Sequence, residues 1–184
     1  MTVLVPSDIE TTRGAVKAML KYHGPVYLRL SRDMVGSYHE GDEHFKIGKA
    51  NVIKDVNDIT LAVCGTLLPQ VLEAAQELDK IGIQAAVLEF TSLKPFDYET
   101  LVRYARKTGA VVTVEEHTIL GGLGGAVAES LSEIYPVLIK RVGINDCFGE
   151  SGAYEDLLNK HQLTAKYIYE AANNLVYRKG SVNK

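Results

Sequence analysis

The chain has 184 residues, 46% of them apolar, and a formal net charge of −3. That length suits one domain, or one domain with part of another, and the apolar share is enough for a core. With an acidic balance and no Lys/Arg cluster it lacks the electrostatic footprint of a nucleic-acid binder. No apolar run approaches the roughly 18 residues of a membrane span. The N-terminus "MTVLVPSD" has neither the basic flank nor the cleavage site of a signal peptide. Cys64 and Cys147 fit no metal or redox spacing, and two thiols suit a reducing cytosol.

In chain order, "TVLVP" reads as a strand. Ser7 and Glu10 form an S-x-x-E capping box for the helix "DIETTRGAVKAMLKY". Gly24-Pro25 then turns the chain into a second strand, "VYLRL". Two strands and one helix do not bury both faces of a sheet. This unit therefore docks on the domain after it or is the tail of a domain whose beginning is missing. The polar stretch from Asp33 to Asn57 reads as a linker, with a short strand at "ANVIK".

Beyond it, apolar runs starting at Ile59, Ile83, Ala110 and Val137 alternate with helical patterns. Near-continuous apolar runs are strands covered on both faces. In the first helical pattern Leu68, Val71, Leu72, Ala75 and Leu78 form one stripe, with Thr66 as cap, Pro69 in the first turn and Gly82 at the close. "YETLVRYARKTG" stops at Gly109, and "AVAESLSEIY" stops at Pro136. The last stretch gives two helices, the second capped by Thr164. The pattern predicts an α/β fold: a three-layer domain with a mostly parallel sheet and helices on both faces, preceded by a partial strand–helix–strand unit of a second α/β domain. The expected divisions are 1–38, a linker at 39–57, and 58–184.

Three places could carry chemistry. Arg32 ends the second strand, at the carboxyl edge where parallel sheets bind ligands, and its guanidinium fork suits phosphate. The competing reading is a solvated charge, or an ion pair with Asp33. Arg29 lies within the strand and is expected to pair with a helix carboxylate. The glycines of "GGLGG" (Gly121, Gly122, Gly124, Gly125) sit between a strand and a helix, where backbone N–H groups could cradle an anion. They do not make a dinucleotide fingerprint, because Val127 takes the third glycine position, and a tight turn for close helix packing competes with the cradle. Glu115, Glu116 and His117 end the strand before them; a proton-transfer cluster competes with a hydrogen-bonded strand end. His23, His39, His44 and His161 have no partner identifiable from the sequence.

Taken together, "GPVYLRLSR", "VLEF" with "SLKPFD", "VTVEEHTILGGLGGAVAE" and "CFGESGAYEDLLNKHQLTAKYIYEAA" resemble the C-terminal portion of transketolase. On that resemblance residues 1–38 are the end of a pyrimidine-binding domain, and 58–184 are the C-terminal domain. The resemblance implies a thiamine-diphosphate-dependent transferase that moves a two-carbon ketol unit between sugar phosphates, with Arg32 as the substrate-phosphate ligand. It also implies a cytoplasmic homodimer of the complete enzyme.

The glutamate that activates the cofactor, and the magnesium and diphosphate site, belong to parts of the family absent from these residues. No cofactor is therefore expected on this chain alone, and N-terminal transketolase domains or a companion subunit are the expected partner. Deoxyxylulose-phosphate synthase and 2-oxoacid dehydrogenase beta subunits share the architecture. "LSRD" reads more like transketolase than like the synthase. A non-catalytic assembly or regulatory module is the reading from another class.

Overall fold

The computed structural model describes residues 1–32, 36–43 and 45–182. Its centre is a five-stranded sheet in the order β3-β5-β4-β7-β8, made from Asn51–Lys54, Ala85–Glu89, Ile59–Cys64, Ala110–Thr118 and Leu138–Ile144. The last four strands of that order are parallel, and β3 runs antiparallel at one edge. Period-two alternation divides each central strand between two cores. Ile59, Leu61 and Val63 of β4, with Val87 and Val112, face α2 (Leu68–Lys80), α5 (Tyr154–Lys160) and α6 (Ala165–Val182). Ala62, Cys64, Leu88 and Val111 face α3 (Tyr98–Thr108) and α4 (Leu123–Ile134). The result is the expected three-layer domain. Each fully buried Leu, Val or Ile contributes about 1.5–3 kcal/mol of transfer free energy to it.

The strand–helix–strand unit, β1 (Thr2–Leu4), α1 (Ile9–Met19) and β2 (Val26–Leu28), docks on this domain. β1 pairs parallel with β2 and antiparallel with β6 (Ser92–Lys94), giving a second sheet in the order β2-β1-β6. β6 is a strand that the pattern of "SLKPFD" did not predict: it is three residues long, largely polar, and owes its form to pairing across the chain. Part of the stretch expected as a linker is packed. Phe45 is buried against Leu4 and Ala15, with Ile47 beside it, and β3 completes the edge of the large sheet.

Local signals were met with exchanges of role. Asp8, not Ser7, caps α1: its carboxylate accepts from Thr11 N at 2.8 Å, and the Thr11 side chain returns the contact in a capping box. An ionised acceptor makes the stronger cap, and Ser7 Oγ instead donates to Glu89. Glu10 pairs with Arg13. α2 has no side-chain cap; a 3-10 turn over Gly65–Leu67 leads into it, and the Thr66 hydroxyl is used elsewhere. Gly109 closes α3 in the left-handed region at φ 68°, and the carbonyl of Thr164 accepts the first hydrogen bonds of α6.

Candidate functional site: an arginine cleft between the two units

After β4 the chain crosses to β5 on one side; after α3 it returns to β7 on the other. The connections leaving β4 and β7 run to opposite faces of the sheet, so a crevice opens beyond their carboxyl ends, where α/β proteins bind ligands. The N-terminal unit roofs that crevice. A cleft of about 280 Å³ is walled by Val5, Pro6, Arg29, Ser31 and Arg32 on one side and by Cys64, Gly65, Thr66 and Glu116 on the other. A wider groove of about 970 Å³ lies between the N-terminal unit and α4, where His23 and Lys94 are the basic residues and Glu129 and Glu133 the acidic ones. The smaller cleft holds the denser set of hydrogen-bonding groups.

Arg29 is half-buried and donates from Nη2 to the backbone oxygen of Glu116. Its partner is thus a strand carbonyl and not the expected helix carboxylate, because the end of β2 reaches Glu116 of β7. Arg32 is exposed at the mouth of the cleft. Its expected alternative partner, Asp33, lies outside the described residues, as does His44. Glu116 Oε2 accepts from Thr66 Oγ1 at 2.7 Å and from Tyr154 OH at 3.1 Å, which fixes the carboxylate along the second wall. Cys64 forms part of the floor; burial pushes its thiol well above the ordinary range, so it is no nucleophile at neutral pH.

The neighbouring candidate dissolves into structure. Glu115, one residue before Glu116, points to the other face of β7 and accepts from Leu123 N at 2.7 Å and Gly124 N at 2.8 Å. The protein's own carboxylate therefore fills the glycine cradle at the start of α4. Burial pushes the Glu115 carboxyl up, while those two N–H groups and the charges of His117 and Arg29 oppose the rise. Gly122 is required for the fit, since a Cβ there would stand 1.9 Å from Glu115 Oε2. His117 Nδ1 lies 2.8 Å from the Thr118 carbonyl. Glu150, just before α5, pairs with Lys160 and His161 at the far end of that helix.

Among the described residues no three His, Cys, Asp or Glu side chains come together to hold a metal ion. The cleft presents a single carboxylate, already engaged by two hydroxyls, so these residues do not fit a magnesium–diphosphate group. What the cleft offers an anion is the pair of guanidiniums at its mouth, Arg29 and Arg32; the Thr66 hydroxyl opposite is already given to Glu116.

A mostly parallel sheet between two helical layers, with an arginine-bearing unit closing over its carboxyl edge, defines an α/β protein with a cleft at the carboxyl ends of its central strands. Residues 48–168 match the family described as transketolase, C-terminal domain, and the chain belongs to that family. It is 44% identical over 179 residues to a 6-deoxy-6-sulfo-D-fructose transketolase subunit of Clostridium sp. (strain MSTE9), covering 97% of this chain and 56% of that one. It is 39% identical over 168 residues to an apulose-4-phosphate transketolase subunit of Phocaeicola vulgatus, covering 91% and 52%. A solved structure described as a split gene transketolase, inactive beta4 tetramer, superposes with a TM-score of 0.94 at 46% identity, over 97% of this chain and 59% of that one. The chain spans about half the length of the curated relatives it matches.

Proposed function

We propose that this chain is the C-terminal section of a thiamine-diphosphate-dependent transketolase, inactive alone, in which Arg32 binds the anionic end of the sugar substrate. The single observation that carries the reading is the placement of Arg32, with Arg29 behind it, over the cleft at the carboxyl ends of β4 and β7. Residues 1–38 are then the end of a pyrimidine-binding domain, 39–57 the connection, and 58–184 the C-terminal domain.

Thiamine diphosphate and magnesium would be held by N-terminal domains or a companion subunit, and would supply the carbanion chemistry that moves a ketol unit. The residues of this chain hold the substrate's anion and orient it. A charge-assisted contact of this kind is worth roughly 1.5–3 kcal/mol. The relative described as an inactive beta4 tetramer agrees with a chain that needs a partner. The complete enzyme is proposed to be a cytoplasmic homodimer.

The relative named for a sulfonated sugar supports a second substrate reading, in which the anion is a sulfonate instead of a phosphate. One assay addresses both. The chain is combined with its N-terminal partner, thiamine diphosphate and magnesium, and an aldose phosphate acceptor is offered with either xylulose 5-phosphate or 6-deoxy-6-sulfofructose. Two-carbon transfer from either donor supports the transferase, and the preferred donor identifies the anion. No transfer from either would leave an assembly or regulatory module.

A further inference from the structure

A buried, densely bonded polar cluster lies outside the cleft. His39 is buried, with its side chain 4% exposed, between two carboxylates that are fully buried. Its Nδ1 is 2.9 Å from Asp8 Oδ2, and its Nε2 is 3.1 Å from Glu89 Oε2. The other contacts close the cluster. Asp8 Oδ2 also accepts from Tyr38 N and His39 N, at 2.8 and 3.0 Å, and Oδ1 accepts from Thr11. Glu89 accepts from Ser7 Oγ and, at 2.7 Å, from Asn51 Nδ2.

A neutral imidazole donates one hydrogen bond only, and here Nδ1 is hydrogen-bonded to Asp8 while Nε2 stands at ion-pair distance from Glu89. A carboxylate on each side of the ring favours the imidazolium form of His39. Its titration agrees: Glu89's hydrogen bond raises it, burial opposes, and the charges of Glu89 and Asp8 carry it to about 9. The cluster contains a serine, a histidine and acids, yet it is no nucleophile site: Ser7 is buried and its hydroxyl is given to Glu89 instead of His39.

Its place in the fold gives it a role. Asp8 caps α1 two residues beyond Pro6, which walls the cleft on the N-terminal side. Glu89 ends β5 beside β4, whose last residue, Cys64, lies in the opposite wall. We propose that His39 is a positioning residue: bridging Asp8 and Glu89, it holds the N-terminal unit against the second domain and so sets the width of the arginine cleft. Only the functional consequence rests on reading that cleft as an anion site; the bridge itself does not. The charged groups facing His39 are Asp8 from the start of α1 and Glu89 from β5, with Ser7 and Asn51 of β3 as neutral neighbours of Glu89.

The test uses this chain in solution. NMR follows the His39 ring, the Val5 and Thr66 amides, and binding of sulfate, whose charge is constant from pH 7 to 10. The ring and both amides are expected to titrate together near pH 9, with sulfate affinity falling severalfold through the same range. Glu89→Gln should bring the ring midpoint down toward 6.5. His39→Gln at pH 7 should already show the alkaline amide positions, with weak sulfate binding that no longer varies with pH. A ring midpoint near 6.5, or Val5 and Thr66 amides that ignore the ring's titration, would overturn the inference, and this needs only the unmodified chain. Amides that follow the ring without any sulfate binding would keep the bridge and count against the anion reading of the cleft.

Discussion

Two regions at the carboxyl edge of the sheet gather groups of the kind that bind anions, and they differ in how the protein's own carboxylates use them. At the start of α4 the glycines leave two N–H groups pointing outward, but Glu115 from the adjoining strand already sits on them at 2.7 and 2.8 Å. At the ends of β2, β4 and β7 the arginines overhang a cleft whose carboxylate, Glu116, is held along one wall by Thr66 and Tyr154. The lesson concerns two adjacent residues on one strand. Period-two alternation sends Glu115 to the helix, as a cap supplied from outside it, and leaves Glu116 for the cleft. A helix N-terminus is a site for ligands only when the fold has not already supplied the acid.

Substitutions sharpen this contrast, since the first region should answer in stability and the second in binding. Gly122→Ala should have the largest effect, because its Cβ would stand 1.9 Å from Glu115 Oε2 and 2.9 Å from Cδ. Overpacking and the loss of a buried, charge-assisted cap together cost about 3 kcal/mol or more, to be read as a lowered denaturation midpoint. A near-unchanged midpoint would show that the carboxylate is not held at the helix. Next in size is the alkaline limb of stability. The folded-state titration of His39 stands near 9 against an ordinary 6.5, so its contribution is complete below about pH 6.5 and is lost as pH rises through about 9. That contribution is of the order of 3 kcal/mol, and denaturant unfolding at pH 6, 8 and 10 measures it.

At the acid end the sign reverses. Burial disfavours the Asp8 carboxylate, yet hydrogen bonds from Thr11, Tyr38 and His39 hold it well below the usual range, so its contribution is lost as pH falls below about 3.8. Glu115→Gln should cost about 1–3 kcal/mol, read as a lowered denaturation midpoint: the amide keeps one acceptor but sets its NH2 against the other buried backbone N–H. Smallest of all, Arg32→Ala should move stability by under about 0.5 kcal/mol, as for other exposed surface positions.

Much of the fold was legible in the sequence because apolar periodicity is a local signal. The runs at Ile59, Ile83, Ala110 and Val137 became β4, β5, β7 and β8, and Gly109 stopped α3 where a left-handed residue was needed. What was missed was set by distant contacts. β6 forms because Val3 and Leu4 lie opposite Lys94 and Ser92. The capping box of α1 moved from Ser7 to Asp8 because Glu89, far along the chain, takes the Ser7 hydroxyl. The partners of His39 are 31 and 50 residues away on opposite sides, a separation that no spacing rule reaches. In the candidate site, Arg32 stood out as a strand-end guanidinium. Arg29, Thr66 and Glu116 gained their roles only when two units closed on one another; an arginine, a threonine and a glutamate each at or near a strand's carboxyl end was the one available hint.

The proposed role of Arg32, holding the substrate's anionic end, is tested by steady-state kinetics of the chain combined with an N-terminal partner. Michaelis constants would be measured for ribose 5-phosphate and for unphosphorylated ribose, with Arg32 intact and with Arg32→Ala. Loss of a contact worth roughly 1.5–3 kcal/mol predicts an increase of about tenfold to a hundredfold for the phosphorylated sugar and no change for ribose. Equal Michaelis constants for ribose 5-phosphate in the two proteins would contradict the account and remove Arg32 from the site.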